Sequence, residues 1–392
     1  MNLQLEIKKL TEELFPYLVN VRRHLHQNPE LSFKEYNTSK YIQEELTKHN
    51  ISFKANVAGT GIVAIIEGQN PNSDCALLRA DMDALPIQET NNVSYKSINN
   101  GVMHACGHDV HSTCVLGAAI ILNQLKNNLK GTIKIIFQPG EEVLPGGAKL
   151  MIDEGILENP KVNKAIALHV FPNLEVGKVG FKEGMYMAST DELYLTINGK
   201  GGHAAMPSEY INPLIIASEI LLKINQEFML EPKNNIPTVI AFGKINSNGA
   251  TNVIPEQVNI AGTFRTMDEN WRKQVHQRLQ EIVNNFSEKY KIQSHIEIVN
   301  GYPFLINDNM LTQACRNKAI SVLGHENVIE LPLRMTAEDF AYITQKVPSC
   351  FFRLGTANSN KKISAGVHTS NFDVDENSIK VGVELLANFF FI

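Results

Sequence analysis

Cys106 and His108 stand two residues apart in the stretch His104-Ala105-Cys106-Gly107-His108-Asp109, and the glycine between them lets the backbone turn. A thiolate and a neutral imidazole both suit a borderline-soft divalent ion such as zinc, manganese or nickel. A Cys-x-His pair by itself is more often structural than catalytic, so its meaning depends on its company. Glu141 and Glu142 supply some. Adjacent carboxylates repel when both are buried and ionised. A metal site has a use for such a pair: one carboxylate binds the cation, and the other takes a proton from water that the ion activates. That second group can later protonate a leaving amine. His169 closes an apolar run and is well placed as a ligand, and His368 follows Gly366 in a loop. With twelve histidines in the chain, most are ordinary. His24, His26, His49, His276, His295 and His325 fall in helical or exposed contexts and receive no role. His104 and His111 flank the central motif as supporting or helix residues.

The elements that must position these groups are legible in outline. Ile7, Leu10, Leu14, Val21 and Leu25 recur at helical spacing, which predicts a helix to about Gln27, stopped by Asn28-Pro29. A second helix covers 35–48. Gly61–Ile66, Cys75–Ala80, Thr132–Phe137 and Ala165–Leu168 are short apolar runs, as expected of strands buried on both faces. A small-residue helix spans 109–127. Asp81, Asp83, Glu141, Glu142 and His169 each fall where such a run gives way to a loop, the edge where ligands gather in α/β sheets. Any one of them alone reads as a solvated loop residue. Together with Cys106 and His108 they do not.

The pattern changes near Thr190. Strands at 193–198, 237–245, 258–265 and 294–298 alternate with helices at 214–228 and 268–290. The order β-α-β-β-α-β is that of a ferredoxin-like unit. The α/β pattern then resumes, with helices at 310–323, 337–345 and 377–390 and a strand at 350–353. The reading is therefore an α/β chain in two domains, with 1–187 and 300–392 forming a discontinuous first domain and 188–299 an insertion, as the length of 392 residues suggests. A net charge of -5 without a basic block speaks against a nucleic-acid partner. Five scattered cysteines do not form a disulfide framework. The first residues are amphipathic and not a charged-then-apolar signal, and no apolar run approaches a bilayer span. The expectation is a cytoplasmic protein with no membrane partner.

By its motifs the chain resembles the metal-dependent amidohydrolases that include aminoacylase, hippurate hydrolase, auxin-conjugate hydrolase and N-acetyl-diaminopimelate deacetylase. The matching stretches run nearly end to end. They are Arg22–His26 with Pro29-Glu30, Arg79–Pro86, Met103–Asp109, Gln138–Glu142, Leu168-His169, Gly201–Pro207, Thr251–Pro255, Ala337–Phe340 and His368. The resemblance implies a zinc-peptidase-like α/β/α catalytic domain with an inserted ferredoxin-like dimerisation or lid domain. It implies two divalent ions held by Cys106, His108, Glu142, His169 and His368, with Glu141 as general acid/base and Asp83 orienting a ligand. His203 would stabilise the oxyanion across a homodimer interface, although a lone histidine there otherwise reads as a turn residue. Asn252, and more weakly Arg265, would contact substrate. Many two-zinc relatives carry His-x-Asp where this chain has Asp81-Met82-Asp83, and an aspartate where it has Cys106, which leaves manganese or nickel open beside zinc. Ser208 stands where this branch usually has a histidine, a change expected at the pocket rim. The expected reaction is hydrolysis of N-acyl (acetyl, benzoyl or similar) L-amino acids. The alternatives are a dipeptidase or carboxypeptidase on the same site, taking short peptides, or a non-catalytic metal- or ligand-binding protein.

Overall fold

The computed structural model describes residues 3–230, 232 and 234–391. The chain divides into two compact units, one of Met1–Tyr186, Ile306–Leu333 and Asp339–Ile392, the other of Met187–Leu305 and Arg334–Glu338.

The first unit is built on an eight-stranded mixed sheet, in the order Ser52–Val57, Gly61–Glu67, Thr132–Gln138, Cys75–Asp81, Lys164–Glu175, Ser349–Ala357, Val179–Phe181, Val328–Glu330. Thr132–Gln138, Cys75–Asp81, Lys164–Glu175 and Ser349–Ala357 run parallel. Antiparallel pairings flank them on both sides. Cys75–Asp81, Thr132–Gln138 and Ser349–Ala357 are buried along their whole length, which is why they read as largely apolar runs, each with one buried cation in it, Arg79, Lys134 or Arg353. Helix His108–Gln124 is buried from His108 to Leu122. A helix apolar all round belongs inside a core. It packs against Leu3–Gln27 and Asn377–Asn388 and against the central strands of the sheet.

The second unit has the strand order Thr238–Ser247, Gln257–Thr266, Asp191–Asn198, Gln293–Asn300, all antiparallel. Helices Pro213–Asn225 and Glu269–Tyr290 connect them. Numbered along the chain the order is 2-3-1-4, the ferredoxin-like arrangement that the element sequence predicts. Asn212 and Asp268 cap the two helices by accepting N–H groups of their first turns.

Several expectations need correction. The strand holding His169 does not end there but runs on to Glu175, because its ladder with Ser349–Ala357 continues to Glu175 opposite Ala357. The helix expected over 337–345 is only Ala341–Thr344, since Asp339 is drawn into side-chain bonds with Arg79 and Gln138. The helix expected over 214–228 is α-helical to Asn225 and continues as a π turn, Gln226–Leu230. Gly202-His203 is a two-residue strand paired with Val253-Ile254. Strand Ser52–Val57 and helix Gly147–Asp153 were not expected at all.

Candidate metal centre

In the first unit the expected ligands come together. Possible donor atoms of Cys106, His108 and His169, of Cys106, Glu142 and His368, and of His108, Glu141 and Glu142 form overlapping groups, each within 4.8 Å. Gly107 makes the first of these possible. It has φ +81°, and a Cβ there would lie 2.6 Å from Val170 Cγ2, the neighbour of His169. His108 opens the buried helix with its ring turned back toward the sheet.

Hydrogen bonds set which nitrogen each ring presents. Oδ1 of Asp83 lies 3.0 Å from His108 Nδ1. A carboxylate only accepts from a neighbour of this kind, so Nδ1 carries the proton and Nε2 faces the other donors. His169 donates from Nδ1 to the carbonyl of Val170 at 2.8 Å, which turns Nε2 toward Cys106 Sγ, 3.4 Å away. His368 sits at φ +63° with its N–H on the Ala105 carbonyl at 2.7 Å, and its Nε2 lies 3.1 Å from Glu142 Oε1. The two glutamates make different contacts, although an oxygen of each lies within 4.8 Å of a His108 nitrogen. Glu142 donates its N–H to Asp83 Oδ2 at 2.9 Å, and Glu141 Oε1 accepts the N–H of Asp339 at 3.4 Å. Glu35, fully buried, accepts the N–H of Gly140 at 2.8 Å and steadies the loop that carries both.

These residues fit a divalent cation. His108 Nε2 is buried with no hydrogen-bond partner, and the nearest acid oxygens, on Asp81 and Glu142, are 3.8 and 3.9 Å away. Burial lowers the pKa of His108, but Asp81, Asp83 and Glu142 outweigh it and raise it to about 10. Burial and then Glu142, Glu141 and Asp81 push the Cys106 thiol well above its ordinary value. A pocket this rich in anionic donors calls for positive charge, and soft and hard donors are both present.

Asp81 is fully buried at the end of strand Cys75–Asp81. Its carboxylate is taken up by Arg79 at 2.7 Å and His111 at 2.6 Å. The sequence reading missed Arg79, Glu35 and Asp339. It also gave His26 no role, yet His26 is fully buried, 2.8 Å from Asp109 and 3.3 Å from Glu89, beside an equally buried Arg22. The strand's period of two places Arg79 on the same face as Asp81, and the helical i, i+3 spacing places His111 beside His108. Nothing in the sequence marks Glu35.

The remaining candidates lie in the second unit. His203 is exposed, and its Nδ1 accepts the N–H of Ala205 at 3.1 Å, so its proton sits on Nε2. Asn252 is exposed too, and its carbonyl accepts the N–H of Ala204 at 3.1 Å, so the structure brings these two together. Arg265 is half-buried and donates to the Met335 carbonyl at 3.2 Å.

A mixed α/β sheet whose central parallel strands and following loops bring thiol, imidazole and carboxylate donors together, with a ferredoxin-like unit inserted in its sequence, defines a metallohydrolase of the metallopeptidase kind. Residues 77–391 match peptidase family M20/M25/M40, and the chain belongs to that family. It is 37% identical over 363 residues to the N-acetyl-L-cysteine deacetylase of Bacillus subtilis, covering 92% of this chain and 84% of that one. It is 36% identical over 385 residues to thermostable carboxypeptidase 2 of Saccharolobus solfataricus, covering 97% and 96%. Among solved structures, a dinuclear metal-binding M20 peptidase of Bacillus subtilis superposes with a TM-score of 0.83 at 31% identity, covering 97% of this chain and 98% of that one. The chain is thus an amidohydrolase, which sets aside the non-catalytic alternative.

Proposed function

We propose that this enzyme hydrolyses the amide bond of N-acyl L-amino acids, with two divalent ions held by Cys106, His108, Glu142, His169 and His368. The observation that carries this reading is the difference between the contacts of Glu141 and those of Glu142. Glu142 points at two imidazoles with its own N–H fixed by Asp83, while Glu141 is turned to the Asp339 N–H. On this reading Glu142 binds metal and Glu141 moves a proton. Bound divalent ions would supply Lewis acidity, lowering the pKa of water toward neutrality and polarising the scissile carbonyl. Glu141 accepts the proton of the attacking water as its oxygen bonds to the acyl carbon. It returns that proton to the amide nitrogen as the C–N bond breaks, leaving a carboxylate and a free amino acid. Asp83 keeps His108 in the tautomer that presents Nε2.

His203, as an Nε2–H donor, would stabilise the oxyanion in the partner subunit of a homodimer, and Asn252 and Arg265 would contact substrate. The mostly exposed edge strand Thr238–Ser247 supports pairing through the second unit. A carboxypeptidase or dipeptidase action on the same site is the second reading, favoured by the carboxypeptidase relative. A reducing cytoplasm suits the five free, buried cysteines, and no described helix is long and apolar enough to cross a membrane.

The test is a panel of acetyl, benzoyl and indole-acetyl amino acids beside dipeptides, assayed after exhaustive chelation and after return of zinc, manganese or nickel. Chelation is expected to abolish turnover and one of these ions to restore it, with acyl amino acids preferred. Full turnover by metal-free protein would end the reading. A preference for free dipeptides would favour the second.

A further inference from the structure

Behind the expected ligands lies a line of buried polar groups that the proposed reaction does not use. Arg79 is 1% exposed in the middle of strand Cys75–Asp81. It donates to Asp81 Oδ2 at 2.7 Å, to Gln138 Oε1 at 2.9 Å and to Asp339 Oδ1 at 2.7 Å. The other oxygen of Asp81 meets His111 Nδ1 at 2.6 Å. His111 Nε2 in turn accepts the backbone N–H of Val170 at 2.9 Å. The ladder between Cys75–Asp81 and Lys164–Glu175 stops at Arg79 opposite Ala167, and His111 takes an N–H beyond its reach.

The direction of these bonds fixes the tautomer of His111. A backbone amide only donates, so Nε2 is bare and Nδ1 carries the proton that meets Asp81. Val170 is thereby held at its N–H by His111, while its carbonyl holds His169 Nδ1 at 2.8 Å and its side chain fills the space over Gly107. The rings of His111 and His169 also pack directly, with centroids 4.5 Å apart.

We infer that His111 is a positioning residue, an Nδ1–H imidazole anchored by Asp81 and Arg79 that pins Val170 and so aims His169 Nε2 at Cys106. The inference rests on the proposed role of His169 as a ligand. It assigns Asp81 the work of an anchor and leaves coordination to others. The guanidinium of Arg79, 2.7 Å from Asp81 Oδ2, pairs the charge of that aspartate in a dry interior.

Two substitutions separate positioning from bulk structure. His111→Gln keeps an acceptor where Nε2 stands and loses the donor to Asp81. His111→Asn keeps a donor to Asp81 but is too short to reach Val170. Zinc affinity, measured by competition with a chromophoric chelator, is expected to fall about 10–100-fold in the Asn variant, the usual cost of losing a group that orients a ligand. The Gln variant should stay within a few-fold of wild type. Equal losses in both, or wild-type affinity in the Asn variant, would overturn the inference. His169→Ala is the control. If that variant binds zinc normally, the ligand assignment itself fails; if it loses zinc while His111→Asn does not, only the positioning role fails. Should the Asn variant not fold, nitrogen-15 spectra of the wild-type imidazoles still decide, because an Nε2–H tautomer at His111 contradicts the inference.

Discussion

Asp83 joins two of the proposed ligands through one side chain: its Oδ1 lies 3.0 Å from His108 Nδ1, and its Oδ2 accepts the Glu142 N–H at 2.9 Å. Ser32 donates to the same Oδ2 at 2.7 Å. Burial raises the pKa of Asp83, but His108 and the two donors outweigh it and hold the carboxyl below its ordinary value. Asp83→Asn keeps the shape, removes the charge and puts an N–H against one of these donors. Metal affinity should fall about 10–100-fold while the urea midpoint of the first unit moves little by comparison. An unchanged affinity by chelator competition would show that His108 holds its tautomer without Asp83.

The neighbouring glutamates should separate cleanly. Glu141→Gln removes the proposed base and leaves the donors that face His108 and His368 in place. Turnover should drop on the order of 10²–10⁴-fold with metal content near wild type. Glu142→Gln should instead lose metal. Metal content by elemental analysis, read beside the rate, checks both, and the reverse outcome would exchange their roles.

The metal-site motifs were legible because their chemistry is local. Cys106-x-His108 and Glu141-Glu142 declare themselves by type and spacing. The ferredoxin-like unit was legible because each of its elements has a clean period. What the sequence hid is what long-range contact decides. Glu35 reaches the Gly140 N–H across 105 residues, and Arg79 reaches Asp339 across 260. His26 lies on a helix face where its neighbours in sequence say nothing of Asp109 or Glu89. His169 was expected at a strand end because the apolar run closes there, yet pairing with Ser349–Ala357 continues beyond it to Phe171 and, after an irregularity, to Glu175.

The second unit should show its own acid sensitivity. Asp191 is fully buried, 2.9 Å from Arg272 Nε and 2.7 Å from His276 Nε2. Burial raises its pKa, but Arg272 and then His276 outweigh that and hold it below the ordinary value. The unfolded value is about 3.9. A depressed folded pKa means that the stabilisation is complete above that value and is lost as pH falls through the folded one. Trp271, the chain's one tryptophan, lies on the helix of Arg272 and reports this unit. Its urea midpoint should hold from neutrality to about pH 4 and then fall. Asp191→Asn should lower the unfolding free energy at pH 7 by about 3 kcal/mol, the loss for a broken buried pair, and with it the midpoint, and should flatten the acid slope. A slope equal to wild type would show that other carboxylates govern it.

The role proposed for His203 would join the site to assembly. Its Nδ1 is occupied by the Ala205 N–H and its ring is exposed, so Nε2–H is free to serve an oxyanion. The residues proposed for the reaction centre and His203 belong to different units, and the homodimer proposed above would let one chain complete the other. If His203 acts in trans, each working site needs Glu141 from one chain and His203 from its partner. Glu141→Gln and His203→Ala proteins, each nearly inactive, are mixed where subunits exchange. Every mixed dimer then has one site with both residues intact and one with neither. Equal mixing makes about half the dimers mixed, so roughly a quarter of all sites should recover. Differently tagged chains report exchange independently. Recovery near a quarter of wild-type turnover supports a site completed by the partner subunit. No recovery despite proven exchange would place His203 in its own subunit's site or outside the reaction.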